Sequence, residues 1–341
     1  MTTYGLSVIG KDFETTRAMA AAADRAGLDA VWASEFYFTS ATVKLAAMAS
    51  VTENCRIGSS IMYGVGRTPM VLAAEARDLD ELSGGRFVLG IGNGTKRMLA
   101  DWHGIADTAS PAGRMEELVA LVRRLLHIHE GPVEHHGRFY SVNLRPNPGT
   151  PPPLRTDIPI YTAGVRPRMI EVAGRVADGL VGHPLFGRRY LEEVVRPSIE
   201  AGAGKAERDP DDVALMSMVI CSVSDDVEQA RREAAQQIAF YASVRSYEYL
   251  LDASGFSAEG ATIREAFARG DFATMFAAVS DQMIDELSVA GTADDVQRGL
   301  ARYDGVLDHV VLYSPSIGIA PDRVEANIAA LTGMRERLGT A

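Results

Sequence analysis

The chain has 341 residues, of which 47% are hydrophobic, so it is long enough to bury a large core. Its formal net charge of -11 argues against wrapping nucleic acid or resting on an anionic membrane, and leaves open a basic pocket for a small molecule. Cys55 and Cys221 each lie in an apolar run, which is typical of reduced core thiols. With no signal-peptide pattern and no apolar run of membrane-spanning length, we expect a cytoplasmic protein.

Strand and helix patterns alternate along the chain. Short apolar runs bounded by Gly, Pro and Asp predict strands, and apolar stripes at helical spacing predict the helices between them. Strands are predicted at residues 4–9, 29–34, 56–62, 86–92, 158–164, 178–183, 215–222 and 309–314. Helices are predicted at 12–27, 41–51, 69–82, 114–129, 167–176, 225–242 and 321–338, with a short one that is capped by 291–295 and ends at 303.

Eight predicted strands, each followed by a helix and none by a tight hairpin, indicate a parallel sheet. The count of eight favours an α/β fold, the (β/α)8 TIM barrel, over the alternative of a doubly wound open sheet. We expect a single domain over residues 1–341 with insertions at about 132–157 and 243–290. The first insertion holds six prolines and a predicted hairpin at 138–140, and the second is helical, aromatic and expected to cap a pocket.

Ligands of parallel sheets bind at the carboxyl ends of the strands. Ser60–Ile61 and Gly92–Gly94 lie at two such ends, where small residues let a flat ligand approach the backbone. The run Gly90-Ile91-Gly92-Asn93-Gly94 is not a dinucleotide-binding motif, because its third glycine would fall at Thr95, where no helix is predicted to start.

Glu35 follows the second predicted strand and precedes three aromatic residues. A carboxylate in such surroundings is expected to have a raised pKa and to act in proton transfer or in anchoring a ligand. The alternative interpretation is a helix-capping or salt-bridging glutamate.

The histidines do not predict a metal site. His127, His129, His135 and His136 straddle a helix end and a Gly-Pro loop, with no cysteine and few carboxylates nearby. His183 differs because it ends a predicted strand, so we expect it to line a pocket.

Small residues also lead into the helix at 167–176. Ala163, Gly164 and Val165 precede it, with Arg166 adjacent, a pattern that suits phosphate binding at a helix N-terminus or, alternatively, an ordinary strand-to-helix turn. The sequence lacks the motifs of serine hydrolases, P-loop nucleotide triphosphatases and zinc proteases.

Three stretches, 29–35, 56–61 and 79–94, resemble the bacterial luciferase-like superfamily, and within it the F420-dependent branch that includes methylenetetrahydromethanopterin reductase. The resemblance is dense over 4–126 and resumes at 158–164 and 177–179. It implies a (β/α)8 barrel that holds a deazaflavin or flavin ring at its carboxyl face, with a non-prolyl cis peptide at Ser60–Ile61 behind the ring and phosphate contacts after strands five and six. The cofactor-binding positions it implies are Ser34, Ser60, Ile61, Gly92, Asn93, Gly94, Ala163, Gly164, Val165, Gly182 and His183.

The chain departs from one branch of that family. Glucose-6-phosphate dehydrogenases of the family carry Asp-His after strand two and Glu after the Gly-x-Gly loop, where this chain has Glu35-Phe36 and Thr95. The resemblance therefore implies an F420-dependent oxidoreductase that transfers a hydride between the deazaflavin and a small organic substrate, with Glu35 as the catalytic residue. Arg97, Trp102 and His103 are the expected substrate contacts.

Two other functions stay open on the same fold. One is an FMN-dependent monooxygenase that uses reduced flavin and oxygen, supplied by a separate flavin or F420 reductase. The other is a catalytically silent flavin-binding protein. A basic track through Arg166, Arg168, Arg188 and Arg189 would favour F420, whose tail is acidic. Small residues of the helices after strands two and three (Ala46, Ala47, Ala73 and Ala74) favour a homodimer, as in the family.

Overall fold

The computed structural model describes residues 2–339. The strands of this part of the chain are β1 (Thr3–Ser7), β2 (Ala30–Ala33), β3 (Arg56–Ser59), β4 (Met62–Tyr63), β5 (Phe87–Gly92), β6 (Val133–His136), β7 (Ser141–Leu144), β8 (Ile160–Ala163), β9 (Gly179–Gly182), β10 (Ala214–Val223), β11 (Ser288–Gly291) and β12 (His309–Tyr313).

The α-helices are α1 (Phe13–Arg25), α2 (Ala41–Ala49), α3 (Pro69–Leu82), α4 (Lys96–His103), α5 (Pro111–Leu126), α6 (Pro167–Val176), α7 (Arg188–Tyr190), α8 (Arg196–Lys205), α9 (Val227–Ala242), α10 (Glu248–Ala253), α11 (Ser257–Ala268), α12 (Phe272–Ala277), α13 (Asp281–Leu287), α14 (Ala293–Leu300) and α15 (Pro321–Gly333). A π-helical turn, Leu191–Val195, joins α7 to α8.

The chain folds into two compact units. The central unit comprises Ala30–Val181 and Ser198–Ala214, and the terminal unit comprises the chain up to Asp29, Gly182–Pro197 and the chain from Leu215 onward. The single domain expected over 1–341 stays a prediction.

In the central unit, β2, β3, β5, β8 and β9 are neighbouring parallel strands. Trp32 pairs with Gly58 and Gly58 with Val88, while Thr162 pairs with Ile91 on one side and Leu180 on the other. Gly58 permits a close approach, because a Cβ there would lie 2.3 Å from the Trp32 ring. The strands are buried, as their continuous apolar runs predict.

In the terminal unit, β1, β12 and β10 are neighbouring parallel strands, with β11 beside the end of β10. Tyr4 pairs with Val310, and Val219 with Leu312. The helices α9 and α14 lie against β11. The short helices α10–α13 occupy the segment that was predicted as a helical insertion.

Strands β1, β2, β3, β5, β8, β9, β10 and β12 correspond to the eight predicted ones, and each is followed by a helix. The fold is a (β/α)8 TIM barrel with insertions, so the predicted fold class is confirmed. The first insertion carries the antiparallel hairpin β6–β7, in which Val133 pairs with Leu144, and that prediction is also confirmed.

The sequence places helix starts well. Asp12 accepts a hydrogen bond from the Thr15 N–H at 2.7 Å at the start of α1, and α6 has the predicted bounds. The expectation that no helix starts at Thr95 is wrong: its side chain caps α4 by accepting from the Met98 N–H. That helix buries only Leu99, so its sequence carries no apolar stripe to mark it as a helix.

Both cysteines are buried and form no disulfide, as predicted. Among residues 2–339, no helix is long and apolar enough to cross a bilayer. Within the same range, no three His, Cys, Asp or Glu side chains gather as metal ligands.

Candidate cofactor and substrate site

The end of β2 is tied to the segment that follows β3. The Ser60 N–H donates to the Ala33 carbonyl at 2.9 Å, and the Glu35 N–H donates to the Ile61 carbonyl at 3.1 Å. The Ser34 hydroxyl donates to the Ser60 carbonyl at 2.8 Å. The peptide bond Ser60–Ile61 is cis, so that prediction from the family resemblance is confirmed.

The Glu35 carboxylate holds the next part of the same segment. Arg67 donates to both of its oxygens, Nη1 to Oε2 at 2.6 Å and Nη2 to Oε1 at 2.7 Å, and the Tyr63 N–H donates to Oε2 at 2.8 Å. Arg67 Nε also pairs with Glu75 at 2.9 Å. The Arg67 and Glu35 side chains are only 16% and 10% exposed, so the pair is largely shielded from water.

Burial opposes ionisation of Glu35, but the hydrogen bonds from Arg67 and Tyr63 and the Arg67 charge outweigh it, so the pKa of the Glu35 carboxyl is lowered. The expectation of a raised pKa is therefore wrong. It failed because it considered the aromatic neighbours and not the arginine, which lies 32 residues further along the chain. An ionised Glu35 accepts hydrogen bonds, which suits positioning of the 60–67 segment better than proton donation.

Ile61 packs over the end of β5. A Cβ on Gly92 would lie 2.4 Å from Ile61 Cδ1 and 3.3 Å from the Ala163 Cβ, so only glycine leaves room for the isoleucine. Gly94, two residues on, has a φ of +70°, which favours glycine. Ile61, Gly92 and Ala163 thus form an apolar wall of mostly small residues at three strand ends.

Three polar atoms near these strand ends are buried without a partner among residues 2–339. They are the Ser60 hydroxyl oxygen, Asn93 Oδ1 and Thr162 Oγ1. The Asn93 amide nitrogen is already used, since it donates to the Pro111 carbonyl at 3.0 Å. Buried polar atoms are generally hydrogen-bonded, so the Ser60 and Asn93 atoms fit the polar edge of a bound ring.

The turn from β8 into α6 is tight. A Cβ on Gly164 would lie 2.7 Å from the Met169 Cβ, so the turn requires glycine. The N-cap residue of α6 is Arg166, whose side chain makes no capping hydrogen bond within the described chain. Helix N-termini in general suit anions. Ala163, Gly164 and Val165 lead from β8 into the start of α6, and their contact with a phosphate stays a prediction.

The three predicted substrate residues of α4 do not lie together. Trp102 lies against Phe36 and Tyr37, with ring centroids 5.5 and 5.4 Å apart, and the His103 ring lies 5.3 Å from that of Tyr63. Arg97 is 88% exposed and pairs with Asp101 on its own helix. The structure thus brings Trp102 and His103 to the loops that follow β2 and β4, and it places Arg97 on the surface.

The terminal unit holds a second polar cluster, which begins at the end of β9. A Cβ on Gly182 would lie 2.6 Å from Ser217 Oγ, so the glycine allows close packing on β10. The next residue, His183, has its ring centroid 4.1 Å from that of Tyr247 and 4.9 Å from that of Tyr241. The Tyr241 and Tyr313 hydroxyls are 2.9 Å apart and share a hydrogen bond.

Burial lowers the pKa of His183 far below its ordinary value, so the ring is neutral at pH 7. Its Nδ1 accepts a hydrogen bond from the Leu185 N–H at 3.2 Å. At the predicted phosphate site, His183 would therefore supply one donor and no positive charge.

Sequence reasoning missed Arg67, Tyr241 and Tyr313. Arg67 lies in a Gly-rich loop, where no pattern marks an ion-pair partner. Tyr313 ends β12, so the strand-end rule applied to Glu35 and His183 could have found it. Two arginines of the expected basic track, Arg188 and Arg189, each pair with a glutamate four residues further on.

A family model described as luciferase-like monooxygenase matches residues 2–309. The 5,10-methylenetetrahydromethanopterin reductase of Methanolobus tindarius is 30% identical over 312 residues, which cover 89% of this chain and 90% of the relative.

Two solved structures extend the comparison. The coenzyme F420-dependent tetrahydromethanopterin reductase of Methanopyrus kandleri superposes with a TM-score of 0.84 at 25% identity, covering 97% of each chain. The oxygenating constituent of 3,6-diketocamphane monooxygenase from Pseudomonas putida, in complex with FMN, has a TM-score of 0.66 at 19% identity and covers 97% of each chain. This second likeness concerns the fold alone.

Proposed function

The chain belongs to the luciferase-like monooxygenase family, and from this premise we propose that it is an F420-dependent oxidoreductase acting on a small organic substrate. That it is an oxidoreductase of the F420- and flavin-dependent kind follows from the family. The choice of F420 and of hydride transfer is the proposal.

The observation that carries this proposal is the likeness to methanopterin reductases along nearly the whole chain. The F420-dependent reductase of Methanopyrus kandleri matches 97% of this chain with a TM-score of 0.84. The FMN-bound monooxygenase matches as much of the chain with a TM-score of only 0.66. The likeness is therefore greater to this F420-dependent reductase than to that FMN-bound monooxygenase.

The residues of the central unit fit a flat ring. Ile61, packed on Gly92, offers an apolar face, and the unpartnered Ser60 hydroxyl and Asn93 Oδ1 offer hydrogen bonds at the edge. The N-terminus of α6, which follows the tight turn at Gly164, suits a phosphate. When bound, the deazaflavin of F420 would supply or accept the hydride.

The protein's own contribution is positioning and exclusion of water. The ion pair of Glu35 and Arg67 fixes the 60–67 segment, so that Ile61 keeps one orientation. The aromatic side chains of Phe36, Tyr37 and Trp102 form a cluster with exposed faces, which suits the body of an organic substrate.

The same proposal includes a homodimer and a separate enzyme that regenerates the reduced cofactor. Val43 of α2 and Met70 and Val71 of α3 are exposed apolar side chains on the helices that we expect to pair. Analytical ultracentrifugation of the full chain tests the dimer, which predicts a species of twice 36.7 kDa.

The test of the proposal is equilibrium binding of F420 and of FMN to the purified chain, followed by cofactor fluorescence at two salt concentrations. We expect F420 to bind at least about tenfold more tightly than FMN, a difference of about 1.4 kcal/mol. Preference for FMN would overturn the proposal in favour of oxygen-activating chemistry, and binding of neither would favour a catalytically silent protein.

Gly92→Ala is the variant that ties binding to the described wall. Its Cβ would displace Ile61, so F420 affinity should fall about tenfold or more. Gly204→Ala is the matched control, because a Cβ at Gly204 meets nothing within 4 Å. Equal F420 affinities of the two variants would show that the ring does not bind at Gly92.

A further inference from the structure

We propose that the aromatic cluster of Phe36, Tyr37, Phe38 and Trp102 binds an uncharged aromatic ring of the substrate. This inference rests on the proposed function, in which an organic substrate exchanges a hydride with F420, and it narrows that substrate to a chemical class. All four residues belong to the central unit, as do the residues of the apolar wall at the strand ends.

The four rings of the aromatic cluster are open to solvent. Tyr37 and Phe38 are 71% and 73% exposed, and Phe36 and Trp102 are also exposed. Aromatic side chains stabilise cores and interfaces through the large area that they bury, and here much of that area is left uncovered. A contiguous group of exposed rings is typical of a surface that binds a ligand.

The rings pack edge to face on one another. The Phe36 centroid lies 5.5 Å from those of Phe38 and Trp102, at interplanar angles of 80° and 85°. The Tyr37 centroid lies 5.0 Å from that of Phe38 and 5.4 Å from that of Trp102. Rings this close are in mutual contact and do not form the open cage that would surround a cation. A further aromatic ring extends the same edge-to-face packing.

The carboxylates that directly precede two of these rings in the sequence are both paired. Glu35 is bound to Arg67 at 2.6 Å. Asp101 is bound to Arg97 at 3.2 Å, one turn earlier on the same helix. Neither pair leaves a net charge to attract an ionic ligand, whereas an uncharged aromatic ring requires no counter-charge and loses little hydration when it packs.

Two contacts join the cluster to the residues of the apolar wall and its surroundings. The Glu35 N–H donates to the Ile61 carbonyl at 3.1 Å, and the cluster begins one residue beyond this contact. The Tyr63 ring lies 5.3 Å from that of His103, the last residue of α4, and a Cβ on Gly94 would lie 3.5 Å from the same tyrosine ring. A substrate ring held by the cluster would therefore lie beside the proposed deazaflavin.

The experiment uses the full chain labelled with 15N-tryptophan, because its two indole N–H groups give separate signals in 1H–15N NMR. The Trp102 signal is assigned by its loss in Trp102→Phe, and the buried Trp32 serves as an internal control. The probes are acetophenone, its saturated counterpart cyclohexyl methyl ketone, and tetramethylammonium, each titrated without and with F420.

We expect acetophenone to shift the Trp102 signal along a saturable curve and to leave the Trp32 signal in place. Its affinity should exceed that of the saturated ketone by about fivefold or more, since both ketones are uncharged and similar in size and only one offers an aromatic ring. Tetramethylammonium should shift neither signal.

Variants separate the rings from a general apolar surface. Phe36→Leu removes the central ring and should weaken acetophenone binding about fivefold, while binding of the saturated ketone changes less than about twofold. Phe38→Leu changes a mostly exposed side chain, so it disturbs folding less, and should weaken acetophenone binding about threefold. Phe13→Leu, at an exposed phenylalanine of α1, is the matched control and should bind as the parent does.

Equal affinities for the two ketones, a Trp102 shift with tetramethylammonium, or parental acetophenone binding by both Phe36→Leu and Phe38→Leu would each overturn the inference. A Trp102 shift on dilution of the protein alone would do the same, because a second copy of the chain would then cover the rings.

The F420 titration reads out separately from the ketone titrations. If F420 fails to bind while acetophenone still shifts Trp102, the proposed cofactor is wrong and the ring-binding surface stands. If F420 binds and acetophenone shows no preference over the saturated ketone, the ring-binding surface is wrong and the proposed function stands.

Discussion

The polar cluster of the central unit and that of the terminal unit are built in opposite ways. Glu35 and Arg67 are both charged, and each Glu35 oxygen has at least one partner. His183 and its three tyrosines are neutral, and His183 Nε2 has no partner in the described chain. Both clusters follow a strand of the parallel sheet, so the difference lies in how their hydrogen bonds are satisfied.

The contrast separates a polar cluster with its hydrogen bonds satisfied from one that leaves a buried atom without a partner. A charge pair with every strong bond made inside the protein fixes the backbone and has little left to offer a ligand. The Glu35 pair is of this kind. The His183 cluster leaves Nε2 without a partner in the described chain.

The largest expected effect comes from breaking the charge pair. Arg67→Met leaves the Glu35 carboxylate buried without its cation, which should lower the free energy of unfolding by about 3–5 kcal/mol in urea titrations. Arg97→Met removes an arginine from the exposed pair with Asp101 and should change it by no more than about 0.5 kcal/mol. Equal losses in the two variants would show that the Glu35 pair is not structural.

Overpacking of the cofactor wall should be the next largest effect. Gly92→Ala forces Ile61 to move and should lower the free energy of unfolding by about 1–3 kcal/mol, in addition to its effect on F420. In the same urea titrations Gly204→Ala, within α8, should be neutral or stabilising by up to about 1 kcal/mol. A Gly92→Ala protein as stable as its parent would contradict the packing of Ile61 described here.

The two clusters should also affect the free energy of unfolding in different pH ranges. The pKa of His183 is lowered in the fold. Below pH 6.5 this side chain therefore binds a proton in the unfolded chain and stays unprotonated in the folded chain. Stability should then fall by up to about 1.4 kcal/mol per pH unit as the pH drops. His183→Gln should remove that component between pH 6.5 and 5.

The Glu35 carboxyl should affect the stability at lower pH. The pKa of its carboxyl is also lowered in the fold, so its stabilisation is present above pH 4.5 and is lost as the pH falls below that value. Glu35→Gln should reduce the dependence of the unfolding free energy on pH below pH 4.5 and leave that dependence unchanged above pH 5. A His183→Gln curve parallel to the parent above pH 5 would show that the imidazole is not held neutral.

The smallest effect is expected within the tyrosine pair. Tyr313→Phe removes one partner of the hydrogen bond to Tyr241 and should cost about 1 kcal/mol of unfolding free energy. Tyr37→Phe, at a side chain of a residue that is 71% exposed, is the control and should cost almost nothing. Equal values for the two variants would indicate that the Tyr241–Tyr313 bond adds no stability.

The sequence predicts most of the fold because strand and helix periodicity is local. The short continuous apolar runs locate all eight parallel strands, and the Thr68-Pro69 pair locates the start of α3. The helix α4, the helical segment α7–α8 and the strand β11 were missed. α4 buries only Leu99, and α8 buries mostly small residues, so neither shows an apolar stripe. β11 has only 4 residues.

The candidate site is less predictable because its chemistry depends on distant partners. Glu35 was found as a strand-end carboxylate, but the direction of its pKa shift depends on Arg67 in another loop. His183 was found in the same way, while Tyr241 and Tyr313 come from α9 and β12. Strand-end position is a local property of sequence, whereas hydrogen-bond satisfaction is a property of the folded chain.

The cofactor is the central claim, and competition between the two cofactors tests it most directly. F420 is bound to the full chain, and FMN is added to the same concentration as F420 while F420 fluorescence is followed. With tenfold tighter binding, we expect F420 to keep about nine-tenths of the occupied sites. Displacement of F420 by FMN would contradict the account and make oxygen-activating flavin chemistry the better assignment.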